Sequence, residues 1–69
     1  MEIKVNGLPV NLPEGKNGLQ DVFAAIGIAF EQTGIAVAIN LELVPRSAWP
    51  TTLVQSGDSI EVITARQGG

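Results

Sequence analysis

The chain has 69 residues, room for one hydrophobic core and not for two. It contains no Cys and no His, which excludes both a disulfide and a thiolate–imidazole zinc site, so a core drawn from 45% apolar residues must hold the fold alone. Four basic against seven acidic residues, a net charge of −3, argue against a phosphate-backbone binder; without His, Cys or Tyr the usual nucleophile–base pairs of an enzyme are also missing.

Ile3 and Val5 alternate with Glu2, Lys4 and Asn6, the period of a half-buried strand. Asn6-Gly7 predicts a type I′ hairpin turn, because both residues tolerate positive φ. A second strand through Val10 and Leu12 carries Pro9 and is followed by Pro13, which makes it short and places it at a sheet edge. Asn17, with Gln20 three residues on, reads as the cap of a helix. Leu19, Val22, Phe23 and Ile26 then fall on one helical face, and Gly27 is its left-handed stop. Ile35, Val37 and Ile39 form a third strand whose opposite face holds Ala36 and Ala38. Asn40 and Glu42 mark a turn, Leu43-Val44 begin a fourth strand ended by Pro45, and Arg46–Trp49 form one helical turn closed by Pro50. After a turn at Ser56-Gly57-Asp58, Ile60, Val62 and Thr64 alternate along a last strand.

The expected architecture is α+β: a mixed sheet of about five short strands with one helix on one face. A hairpin, a crossover helix and returning strands are the β-grasp arrangement of ubiquitin-like folds. Residues 1–65 are read as this domain and 66–69 as a flexible C-terminal tail ending Gly-Gly. One helix covers one face only, so the face carrying Ala36, Ala38, Glu61 and Ile63 is expected to be open and mildly apolar, a candidate docking surface. No run approaches the roughly 18 apolar residues of a membrane span. The opening Met-Glu-Ile-Lys is patterned as a strand rather than an export signal, so the cytoplasm is the expected location. Neither nucleic acid nor membrane is an expected partner, no metal site is expected, and the free chain is expected to be a monomer.

Gly68-Gly69 is the most informative pair. Four residues from Arg66 reach at most about 14 Å, and two glycines without Cβ atoms fit a channel too narrow for other residues. Such a tail carries its own α-carboxylate into another protein's active site. A carboxylate resists nucleophiles; adenylylation by ATP supplies a good leaving group. A sulfur nucleophile then yields a thiocarboxylate, and an amine yields an isopeptide bond. Gly-Gly alone leaves both open.

In order along the chain stand Ile3-Lys4-Val5-Asn6-Gly7, Ala36-Val37-Ala38-Ile39-Asn40 and Val44-Pro45-Arg46 with Trp49. Leu53, Gly57-Asp58, Ile60 and Gly68-Gly69 follow. This ordered set resembles the thiamine-biosynthesis sulfur carrier proteins, the ThiS family, over essentially the full length. The helix is the least typical part: members often have a Thr-Val opening and a Leu-Leu pair, where this chain has Asn17-Gly18-Leu19 and Val22-Phe23. The resemblance implies a protein cosubstrate, not an enzyme, that binds no cofactor of its own. Its Gly69 carboxylate would be adenylylated with ATP by a ThiF-type activating enzyme related to ubiquitin E1. Sulfur from a persulfide protein would make the thiocarboxylate, which would be donated to thiazole synthase. Alternatives are the small subunit of molybdopterin synthase, a ubiquitin-like modifier of protein lysines, and an interaction domain with an incidental Gly-Gly end.

Arg66 and Gln67, at the base of the tail, are candidate partner contacts, with Arg66 placed to steer entry by its charge. Arg46 is a second candidate for docking, together with Ala36, Ala38 and Ile63 on the open face. The structural alternative is that Trp49 closes the open end of the core while Arg46 bonds loop carbonyls. Glu14-Gly15-Lys16-Asn17-Gly18 is not a phosphate loop: Val10 and Asn17 occupy the positions that need Gly and Ser/Thr.

Overall fold

A computed structural model describes residues 1–64. The strands are β1 (Glu2–Val5), β2 (Leu8–Asn11), β3 (Ile35–Ile39), β4 (Glu42–Val44) and β5 (Ser59–Thr64), with one helix α1 (Leu19–Ile26) between β2 and β3. They form one sheet in the order β2-β1-β5-β3-β4. β1 and β5 run parallel, and the other neighbours are antiparallel. This is the β-grasp, with the last strand at the centre.

The hairpin turn forms as its residue types require, with φ of 51° at Asn6 and 83° at Gly7. Pro9 sits in β2, opposite Lys4. The Lys4 N–H is directed at β5, where it donates to the Asp58 carbonyl at 2.9 Å. By the alternation of an antiparallel ladder, the N–H that Pro9 lacks would point outward from the sheet edge, so the proline removes no rung.

The helix starts one residue later than its sequence suggests. Gly18, not Asn17, is the N-cap, and the Asp21 carboxylate accepts the Gly18 N–H at 3.0 Å. Asn17 is held elsewhere: its carbonyl accepts the Val54 N–H at 2.8 Å, and Gly18 bridges to Leu53. This tie to the segment before β5 displaces the cap, and Asp21 takes the role read for Gln20. At the other end Gly27, at φ 78°, closes α1 as its position predicts.

Two further boundaries shift. Glu42 lies within β4, because Asn40 and Leu41, both at positive φ, make the whole turn. The helical turn after Pro45 is a 3-10 helix over Arg46–Thr51 that contains Pro50 rather than ending before it. Thr51 and Thr52 hydroxyls both donate to the Ala48 carbonyl and extend it.

The core lies between α1 and one sheet face. Leu19, Val22 and Phe23 meet Ile3, Val5, Val37, Ile60 and Val62, all buried. Leu12, Trp49 and Val54 complete it. All three aromatic side chains of the protein form one cluster at its end: Phe23 stands edge-on to Phe30 at 5.3 Å and lies 5.2 Å from Trp49. Trp49 is 2% exposed, and its indole Nε1–H donates to the Val44 carbonyl at 3.1 Å.

Candidate functional site

The uncovered sheet face is built by strand parity. In β5, Ile60 and Val62 point to the helix, so Glu61 and Ile63 point away. Register sets Ile63 beside Ala36 and Glu61 beside Ala38 on β3, with Leu43 of β4 on the far side of Ala38. Ala36, Ala38, Leu43 and Ile63 thus make one continuous apolar patch across three strands, with Ile63 61% and Leu43 70% exposed. Leu41, in the β3–β4 turn, is also exposed. The three residues read from sequence are brought together as expected.

Leu43 was legible only as a strand residue. Its alternation with Val44 shows that one of the two faces away from the core. Only the register, Ala38 opposite Leu43, shows that it joins the small residues of β3.

Arg46 is not part of that patch. Its guanidinium donates to the Gln32 carbonyl at 2.7 Å and the Phe30 carbonyl at 3.2 Å. Its central carbon lies 4.5 Å from the Trp49 ring centroid, over the indole face. The loop between α1 and β3 has no strand partner for these carbonyls; a planar, multiply donating cation supplies one. The structure therefore displays the arrangement in which Trp49 closes the core and Arg46 bonds the loop, while the guanidinium stays exposed.

Among the described residues no three His, Cys, Asp or Glu side chains are grouped as metal ligands, and no helix is long and apolar enough to cross a membrane. Arg66, Gln67, Gly68 and Gly69, and with them the tail read at 66–69, lie outside the described residues. β5 is described as far as Thr64, and Ile63 is its last outward-facing hydrophobe.

Comparison with known proteins gives a consistent set of matches. The model of the ThiS family matches residues 3–69. A curated relative, the sulfur carrier protein ThiS of Escherichia coli K12, is 45% identical over 38 residues, a stretch covering 55% of this chain and 58% of that protein. The crystal structure of a thiamine biosynthesis protein (ThiS) from Geobacter metallireducens superposes over all of both chains, with a TM-score of 0.79 and 27% identity. A solution structure of a thiamine biosynthesis protein from the same organism matches with a TM-score of 0.75 and 27% identity, over all of this chain and 88% of that one.

Proposed function

The chain belongs to the ThiS family, and from that premise we propose that it is a sulfur carrier for thiamine biosynthesis, acted upon by enzymes rather than acting as one. The family match over residues 3–69 is the observation that carries this reading.

The proposed chemistry begins at the Gly69 carboxylate. One of its oxygens attacks the α-phosphorus of ATP on a ThiF-type activating enzyme, pyrophosphate leaves, and an acyl-adenylate forms. Sulfur then attacks the acyl carbon and AMP departs. Sulfide gives the thiocarboxylate directly; a protein persulfide gives an acyl disulfide, which a thiol must reduce. The thiocarboxylate sulfur is then transferred during thiazole formation, with thiazole synthase as acceptor. The carrier needs neither a cofactor nor a thiol, since sulfur rides on the terminal acyl carbon. Gly68 and Gly69 suit a narrow active-site channel because they lack side chains.

The patch of Ala36, Ala38, Leu43 and Ile63 is proposed as the surface that seats these partners. Its small residues allow close backbone approach, and Ile63 stands one residue before the last described residue of β5. Arg66 and Gln67 are proposed as contacts at the channel mouth, and the exposed guanidinium of Arg46 as a peripheral one.

The test is intact-protein mass spectrometry after incubation with a ThiF-type activating enzyme, ATP and sulfide. Replacement of one oxygen by sulfur, localised to Gly69, is the expected result. An acyl-adenylate that reacts with lysine but not with sulfide would replace this reading with that of a protein modifier. An unchanged mass with several activating enzymes would overturn it.

A further inference from the structure

The parallel ladder between β1 and β5 advances in steps of two residues. The Lys4 N–H donates to the Asp58 carbonyl at 2.9 Å and the Asn6 N–H to the Ile60 carbonyl at 2.8 Å. The next rung, at Val62, would require the N–H of residue 8 and the carbonyl of residue 6. Leu8 is not available, because the chain has turned at Asn6-Gly7 and Leu8 belongs to β2. The Asn6 side chain fills the rung instead. Its Nδ2 donates to the Val62 carbonyl at 3.2 Å, and the Val62 N–H donates to its Oδ1 at 2.9 Å. A carboxamide has the donor and acceptor of a peptide group, and Asn tolerates the φ of 51° that the turn imposes. Asp lacks the donor, and Gly lacks both groups.

At the opposite end of β5 a similar device acts from the β3 side. Asn40, at φ 50°, accepts the Ser59 N–H on its Oδ1 at 3.0 Å, and its Nδ2 donates to the Asp58 carboxylate at 3.1 Å. The central strand is thus gripped by two asparagines, and only the Asn6 grip lies next to the end from which residues 65–69 follow.

We infer that Asn6 is a positioning residue for the reaction at the C-terminus: its carboxamide closes the β1 side of β5 at Val62, while β3 pairs the other side as far as Thr64, so that the end of the strand is held from both sides. The inference rests on the carrier reading above. Without the clamp, β3 alone holds the strand end, and the order lost on the β1 side must be restored on binding to the activating enzyme, which weakens association and leaves the bound chemistry unchanged.

The experiment measures pyrophosphate release by a ThiF-type enzyme with ATP, varying the full-length carrier: native, Asn6→Gly, Asn6→Asp and Asn40→Gly. Asn6→Gly keeps the turn and deletes only the carboxamide. It is expected to raise the carrier KM by about tenfold, with kcat unchanged, since fixing even one more backbone residue costs that much. Asn6→Asp, which retains the acceptor for the Val62 N–H, should fall between, and Val62 amide exchange should quicken in both. Asn40→Gly removes a comparable grip at the far end and should leave KM at the native value. A merely structural role moves neither constant well below the melting temperature. Equal KM for Asn6→Gly and native, or an equal rise in Asn40→Gly, overturns the inference. Should Asn6→Gly fail to fold, Asn6→Asp decides by the same comparison. No pyrophosphate release from the native chain would instead count against the carrier reading.

Discussion

Along β3, Ile35, Val37 and Ile39 point to the helix while Ala36 and Ala38 point away, and the strands on either side continue the division. The covered face buries large branched side chains against Leu19, Val22 and Phe23. The open face is apolar but low, with two alanines flanked by Ile63 and Leu43. Stability resides on one face, and the other is free of the packing that would constrain its residues. A β-strand permits this because adjacent residues never share a face.

Three substitutions sharpen the division. Phe23→Ala removes the centre of both the core and the aromatic cluster, and should cost about 3–5 kcal/mol by urea unfolding, enough to unfold a domain this small. Arg46→Ala deletes two loop hydrogen bonds and the stacking on Trp49, both at the surface. It should cost about 1 kcal/mol, with Lys restoring little of it. Ile63→Thr keeps the β-branch and removes apolar surface on the open face. Its stability should stay within about 0.5 kcal/mol of native, while the KM for the carrier in adenylylation rises. A stability loss at Ile63 approaching that at Phe23 would break the comparison.

Much of this was legible in the sequence, because period and turn chemistry are local. Alternation located β1, β3 and β5, the apolar spacing set the buried face of α1, and Asn6-Gly7 and Gly27 marked ends that the backbone confirms. The alternative reading of Arg46 and Trp49 as a closure of the core also came from residue type and position. What stayed hidden depends on distant partners. Asn17 looks like a cap until Val54 is seen to occupy its carbonyl. Leu12, read from its alternation with Val10 as part of the second strand, lies just past the end of β2 and is buried in the core; Val54 carries no periodic signal and is buried there too. The second role of Asn6 requires β5 to lie beside β1, although the two are separated by most of the chain.

The two outer strands bear on how this protein behaves when crowded against its own copies. A sheet edge invites polymerisation when a row of open N–H and C=O groups faces solvent. On β2 the outward series includes Pro9, which has no N–H to offer. On β4, by the alternation of its pairing with β3, only the peptide groups of Leu43 face outward within three residues. An incoming strand meets a gap at one edge and a single foothold at the other, so neither edge offers the continuous row of open groups that strand addition needs.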